Sequence, residues 1–375
     1  MKKIYKLYIG ILLSTITVSC TDNLDSDKYF NDRRSLEDVF TDKTSTEEWL
    51  VHAYSFLGGQ NLEVSTKDNI LWNFADDIYF GGNSLGDYRK FKTGTYDENW
   101  YHSWDASYKG IRQASIFIQN IDMNMEFTET ERADLKAQAR FVRAYYYWLL
   151  LRRYGPVPLL PDEGLDYTNS YDDLAIQRSS YDECVEYIES EMRLAAQDLP
   201  LVRAINQIAR PTRGAALAAR ARALLYAASP LFNEKPVESG NELVGYATYD
   251  RERWKTAADA ARSFMNAYGT DGGPLGLDPN FKDVFTNWYD NTIHKEMIFF
   301  RENDSNTSIE TANGPLGLSG AKQGNGRTNP TQNLVDAFLM KDGYFINEEG
   351  SAYEYDPQHP YDNRDPRLEY TIIHN

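Results

Sequence analysis

Along most of this chain, apolar residues recur at alternating intervals of three and four, the period of a helix with a buried side. The longest such run begins at Thr128. Thr128-x-x-Glu131 has the composition of a reciprocal capping box, which satisfies two of the free amide donors at a helix start. Leu135, Ala139, Val142, Tyr146 and Leu149 then form one seam, and Phe141, Ala144, Tyr145 and Trp148 fall on an adjacent face. One neighbouring surface would not bury both, so this helix is expected between neighbours, as in a stacked helical array. Gly155 supplies a left-handed cap, and Pro156, Pro158 and Pro161 forbid continuation, so an extended segment is predicted to follow.

The same period predicts helices on either side. Ser45-x-x-Glu48 is read as the start of one, with Trp49, Leu50, Ala53, Phe56 and Leu57 on one side and Gly58-Gly59 at its end. Another carries Trp104, Tyr108, Ile111, Ala114, Ile118 and Ile121. Ser180-x-x-Glu183 opens a third, with Tyr181, Val185, Ile188, Met192, Ala195 and Leu199 running to Pro200. Arg213 to Ser229 is rich in alanine, which lets helix axes approach closely, so it is placed at the centre of the stack with Leu217, Ala221, Leu224 and Ala228 on one face. Asp250 is read as the start of a further helix with Trp254, Ala257, Ala258, Ala261, Phe264 and Tyr268 facing inward. Helix starts near 181, 212 and 250 lie 31 and 38 residues apart, close to a tetratricopeptide period but without its full consensus.

Two stretches lose the period, at about 60–99 and 269–330. Long irregular inserts in compact domains usually carry function. Within the second, Lys295 to Arg301 is β-prone and predicts a short strand. The fold class is therefore mainly α: helical repeats supporting large irregular inserts, with a few short strands.

The N-terminus reads as a targeting segment. Lys2, Lys3 and Lys6 precede an apolar run from Leu7 to Val18 that is too short to span a bilayer as a mature helix, and Ser19-Cys20 follows where cleavage would fall. This resembles a bacterial lipobox, with Thr17 at a position that prefers Leu. Residues 1–19 are thus read as a lipoprotein signal peptide, Cys20 as the lipidated residue, 20–44 as a tether and 45–375 as one domain. The second cysteine, Cys184, sits in an apolar helical seam and is expected to be an inert buried thiol.

Charge narrows the partners. The formal value of −17 becomes −20 once Lys2, Lys3 and Lys6 are removed, and such a surface repels phosphate backbones, so no nucleic-acid partner is expected. Arg132, Lys136, Arg140 and Arg143 form a basic stripe that Tyr147 continues, which is read as a solvated or acid-paired face rather than a ligand contact. The five histidines are far apart, with no H-E-x-x-H and no Cys/His cluster, so neither a metal nor a cofactor is predicted. Asp76-Asp77 beside aromatics has the look of a glycosidase acid and base, but among 56 acidic residues such a pair arises by chance, and the required separation cannot be read from sequence.

What remains is binding chemistry. Sugars present apolar C–H faces ringed by hydroxyls and call for flat aromatics flanked by amides and charges. The first insert offers Trp72, Asn73, Asp76, Tyr79, Asn83 and Tyr88; the second offers Trp288, Tyr289, Asn291, Arg301, Asn303 and Arg327.

The run RAYYYWLLLRRYGPVP, residues 143–158, resembles the signature helix and turn of the SusD/RagB family, and NPTQNLVDAFLMKDG (329–343) and NRDPRL (363–368) resemble further segments of it. The resemblance implies tetratricopeptide-type helix pairs supporting a large irregular region, with Tyr145, Tyr146 and Trp148 in the core. It implies a non-enzymatic, lipid-anchored protein of the outer-membrane surface that captures nutrients, usually glycans, for a SusC-like TonB-dependent transporter, with ligand contacts in the inserts. Asp22 and Asp25 fit the acidic stretch that accompanies surface display. A peptide-capturing relative, a surface glycosidase and a helical adaptor are the alternatives. Family members usually continue well beyond residue 375, and TIIHN reads as a strand, so C-terminal helices are expected to be missing from this sequence.

Overall fold

A computed structural model describes residues 34–58, 75–81, 93–95, 102–162, 170–269, 273–286, 295–301, 307–317 and 324–374. Helices dominate. Two short ones, α1 (Leu36–Thr41) and α2 (Lys43–Ser55), lead into α3 (Trp104–Asn120), α4 (Glu129–Tyr154), α5 (Tyr181–Asp198), α6 (Arg213–Ala228) and α7 (Glu252–Tyr268).

Helix α4 forms as its sequence predicts. Thr128 Oγ1 accepts from the Glu131 amide at 3.3 Å, and the Glu131 carboxylate accepts from the Thr128 amide at 2.8 Å. Both predicted seams are buried except for half-buried Tyr145. The helix ends at Gly155, whose φ of 72° is the left-handed conformation a glycine adopts without strain.

Packing follows a simple order. Helix α4 lies between α3 and α5, and α6 lies between α5 and α7, so antiparallel pairs α3/α4 and α5/α6 stack side by side in a tetratricopeptide-like array. The main core gathers Ile111, Phe141, Tyr146, Tyr147, Trp148, Tyr181, Ile188 and Met192. α3 comes unusually close to α4 at Gly110, where a Cβ would enter the Tyr146 ring. Alanine-rich α6 does lie between two helices, but the most deeply buried helix is α4.

Polar contacts fix the connections. Arg203 grips Asp134 through two bonds of 2.7 Å and donates to the Pro211 carbonyl, which ties the α5–α6 loop to α4. The extended segment after Gly155 is held by tyrosine hydroxyls: Tyr108 donates to the Pro158 carbonyl at 2.8 Å, and Tyr147 accepts from the Leu160 amide at 3.0 Å. Cys184 is buried without a disulfide, and burial raises its thiol pKa, which keeps it unreactive.

Several expectations need correction. Leu36–Thr41 falls within the stretch read as tether, yet it is a helix with its own Ser35–Asp38 capping box. Phe40 is fully buried there, 5.3 Å from the Trp49 ring and 5.8 Å from Phe117, and this satellite core is what orders the segment. Helix α2 is capped by Asp42, whose carboxylate accepts from the Ser45 amide at 2.8 Å, rather than by Ser45 itself. In α7 only Ala257, Ala260 and Tyr268 are buried, while Trp254, Ala258 and Ala261, expected to face inward, are exposed. Lys295–Arg301 is not a strand: Lys295 accepts one backbone bond from the Gly276 amide at 3.1 Å, no strand pairing with the segment is found among the described residues, and Phe299 packs on α4.

The strands lie elsewhere. β1 (Ile78–Phe80) and β2 (Thr328–Pro330) pair antiparallel, followed by α8 (Gln332–Ala337) and α9 (Pro366–Thr371). Val335, Leu368 and Ile372 make a small third core around buried Arg364, which donates to the carbonyls of Val335 at 2.7 Å, Phe338 at 2.6 Å and Pro360 at 2.8 Å. In the segment expected to be a strand, Thr371 instead closes α9 and residues 372–374 are irregular. Among the described residues no helix is long and apolar enough to cross a membrane.

Candidate ligand-binding surface

The two inserts meet in the β1–β2 ladder. Ile78, Tyr79 and Phe80 stand opposite Pro330, Asn329 and Thr328, and the pairing is extended at each end by Gly81 N–H to the Arg327 carbonyl at 2.8 Å and Thr331 N–H to the Asp77 carbonyl at 2.9 Å. β-branched and aromatic residues suit a pleated strand, and Pro330 sits at its end, where the missing N–H costs no ladder bond. Side chains alternate across the ladder, so buried Ile78 points to one face and Tyr79, 51% exposed, to the other.

Directly opposite Tyr79 is exposed Asn329, and alternation puts half-buried Arg327 on the same face. The two chains pass very close at Gly81, where a Cβ would meet the Asn329 amide nitrogen at 2.5 Å and the Gly326 carbonyl oxygen at 2.6 Å. Only glycine lets the first insert lie against the second at that point.

Backbone bonds hold the second strand in place. A short helix, Ser308–Asn313, receives the Asn325 and Arg327 amides on its Thr311 and Ala312 carbonyls, and Thr328 Oγ1 bonds Asn313 Oδ1 at 2.6 Å. Beyond β2, Thr331 caps α8 and donates its hydroxyl to the Asp76 carbonyl at 2.5 Å, while Asn333 donates to the Asp76 carboxylate at 3.4 Å. Asp76 is exposed and Asp77 is half-buried, with one carboxylate oxygen of Asp77 enclosed and unpartnered.

Arg301 sits apart from this face. It donates to the Leu57 carbonyl at 3.2 Å, at the end of α2, and no hydrogen bond among the described residues joins it to the ladder. Two residues earlier, Phe299 sets its ring edge-on to Phe141 at 5.0 Å and to Tyr145 at 5.7 Å, so the second insert stands directly on α4. Of the residues predicted from sequence, the structure thus brings Tyr79 and Arg327 to one face, holds Asp76 at the end of the ladder against Thr331 and Asn333, and separates Arg301. Trp72, Asn73, Asn83, Tyr88, Trp288, Tyr289, Asn291 and Asn303, together with Cys20, lie outside the described residues. Asn329 and Asn333 were not among those chosen, although both lie in the family-like run NPTQN; their position opposite the first insert depends on a register that the sequence does not display.

The basic stripe of α4 is acid-paired, and part of it is buried rather than solvated. Lys136 bonds Asp122 at 2.6 Å, Arg140 bonds Glu191 at 2.6 Å, and Arg143 reaches Glu191 and Asp162 at 2.7 Å each, while Arg132 donates to the carbonyls of Asn124 and Phe127. Burial works against the charge of Arg143, but Tyr187, Glu191 and Asp162 outweigh it and hold its pKa above the ordinary guanidinium value. Tyr147, at the end of that stripe, has its pKa pushed up to about 12 by burial and remains a neutral hydrogen-bonding phenol. These groups brace the array and are turned away from ligand chemistry. Among the described residues no group of three or more His, Cys, Asp or Glu side chains is arranged to hold a metal.

Comparison with known proteins agrees with this architecture. The family described as "Starch-binding associating with outer membrane" matches residues 25–225, and the SusD family matches residues 295–375. The chain is 32% identical over 56 residues to SusD-like protein P25 of Formosa agariphila, a match covering 15% of this chain and 11% of that protein. It is similar in fold to a SusD-like carbohydrate-binding protein of Bacteroides fragilis, with a TM-score of 0.63 at 22% identity over 90% of this chain and 60% of that one. It is also similar to surface glycan-binding protein A of Bacteroides uniformis, with a TM-score of 0.57 at 19% identity over 80% of this chain and 62% of that one. The chain therefore spans about 60% of the length of these solved relatives. With one family description covering more than half of the sequence and a second reaching its last residue, this chain belongs to the SusD family.

Proposed function

We propose that this protein binds oligosaccharides or polysaccharides at the cell surface without cleaving them, on the face where its two inserts meet. The observation that carries this reading is the ladder itself, which sets the half-exposed Tyr79 ring opposite the Asn329 amide, with Arg327 on the same side. A phenol ring offers a flat apolar surface to sugar C–H groups, and the amide offers both donor and acceptor to hydroxyls. The family description and the carbohydrate- and glycan-binding names of two similar structures support the same ligand class.

Cys20 would anchor the protein in the outer membrane, and a SusC-like TonB-dependent transporter would receive the glycan. In that arrangement the protein is a lid: a ligand bridging lid and barrel favours the closed state by its differential affinity, and energised import releases it. The lipid tether keeps the lid at high effective concentration over its barrel.

The test is native affinity electrophoresis and calorimetry against host, plant and microbial polysaccharides, with the products checked for cleavage. Binding without cleavage that weakens in Tyr79→Ala supports capture. Cleavage lost in Asp76→Asn or Asp77→Asn would make the protein a glycosidase, and binding to peptides alone would make it a peptide-capturing relative.

A further inference from the structure

The ladder that joins the inserts also fixes which hydrogen-bonding ends of its side chains are open. The Asn329 amide nitrogen donates to the Gly326 carbonyl at 2.8 Å, and a carbonyl can only accept, so the orientation of the amide is set. The first insert crowds the same nitrogen, since a Cβ at Gly81 would stand 2.5 Å from it. The amide oxygen takes no hydrogen bond among the described residues and is the end left for a ligand.

Carboxylates flank that face. The Thr331 amide bond to the Asp77 carbonyl carries the register on by one pair, so alternation puts Asp77 on the side of Tyr79, about 7 Å along the strand. One of its carboxylate oxygens is enclosed without a partner. Asp76 beside it is exposed, and its carboxylate accepts from Asn333 at 3.4 Å, a long and weak bond. Neither carboxylate is paired with a cation among the described residues. Arg327, across from Gly81 at the other end of the face, offsets at most one of the two charges.

We propose that this face selects uncharged glycans with free hydroxyl groups and turns away uronate, sulfated and other anionic ones, an inference that rests on reading the face as a glycan site. A sugar hydroxyl can donate to the Asn329 oxygen and to Asp76. A ligand carboxylate or sulfate only accepts, so it would meet acceptors and bring its charge towards two carboxylates on a chain of net charge −17. An anionic group about 7 Å from one uncompensated carboxylate is disfavoured by about tenfold, between the values for bulk water and for a protein surface.

The test is calorimetry on a neutral glycan that the protein binds, prepared as two derivatives of equal substitution. Hydroxyethyl groups add bulk without charge, and carboxymethyl groups add similar bulk with charge. The carboxymethyl form is expected to bind about tenfold more weakly than the hydroxyethyl form in about 20 mM salt, and within about twofold of it in about 0.5 M salt. The gap at low salt should also narrow in Asp76→Asn and in Asp77→Asn. Equal or tighter binding of the carboxymethyl form overturns the proposal, as does a panel that yields only uronate or sulfated binders; glycan capture stands in both cases. A gap that neither salt nor either substitution moves overturns it too, because size and not charge would then select. Absence of binding to every glycan, neutral or anionic, overturns the glycan site itself and the proposal with it.

Discussion

Removing Glu191 should cost more stability than removing it together with Arg143. The Glu191 side chain is only 8% exposed and bridges Arg140 at 2.6 Å and Arg143 at 2.7 Å, while the Arg143 side chain is 2% exposed. Glu191→Leu strands a buried guanidinium. Breaking a buried pair from one side costs about 3–5 kcal/mol. The lower end applies here, because Arg143 keeps Asp162 at 2.7 Å and Ser115 at 3.3 Å, and Asp162, 53% exposed, is screened by water. A loss of about 3 kcal/mol is large against the roughly 5–15 kcal/mol that holds a typical domain folded. Arg143→Met combined with Glu191→Leu removes both charges, and Arg140, a quarter exposed, turns to solvent. The double variant should therefore return to within about 1.5 kcal/mol of the parent. Urea denaturation followed by tryptophan fluorescence measures both, with the slope of the transition checked for constancy. A single variant within about 1 kcal/mol of the parent, or a double variant as unstable as the single, would refute the reasoning.

Three other changes have defined outcomes. Gly110→Ala gains about 1 kcal/mol of helix propensity but drives a methyl into the buried Tyr146 ring and threatens its 2.7 Å bond to the Ala53 carbonyl, so a net loss of about 1–3 kcal/mol is expected in thermal or urea melts. The capping carboxylates Asp38, Glu131 and Glu183 are held below their ordinary pKa by bonds from the Ser35, Thr128 and Ser180 amides and then hydroxyls. Their stabilisation is complete above the ordinary carboxylate range and is lost as pH falls through the depressed values. Melting temperature should thus drop on acidification below about pH 4, and Glu131→Gln with Glu183→Gln should flatten that drop; an unchanged slope would remove the caps from the explanation. Phe299→Ala removes edge-on contacts to Phe141 and Tyr145 worth about 0.5–1.5 kcal/mol each beyond area, and limited proteolysis should then cut the second insert faster.

Legibility in the sequence followed the range of the interactions. Helix α4 could be read from Thr128 to Gly155 because cap, seams and stop are all local and agree with one another. The two apolar faces of α4 even indicated neighbours on both sides. The same logic misplaced Trp254, Ala258 and Ala261, since a 3.6-residue period reports that a face is apolar and not whether anything covers it. Helix α1 was hidden because six residues carry too little period, and its order comes from Phe40 meeting Trp49 and Phe117. Lys295–Arg301 had strand composition but joins no strand pairing among the described residues, whereas β1 and β2, three residues each, pair across about 250 positions of sequence. The candidate site shares that limit: residue types in each insert were readable, but Asn329 became a neighbour of Tyr79 only through the ladder.

Whether Tyr79 and Asn329 form one ligand surface is decided by a double-mutant cycle, measured by calorimetry on a glycan that the unaltered protein binds. Tyr79→Ala and Asn329→Ala should each weaken binding while leaving the melting temperature nearly unchanged, because both side chains are exposed. Their combination should fall short of the sum by about 0.5 kcal/mol or more, the coupling of groups that share one ligand. Full affinity in both single variants would contradict a site at the meeting of the inserts, and strictly additive losses would contradict a shared one.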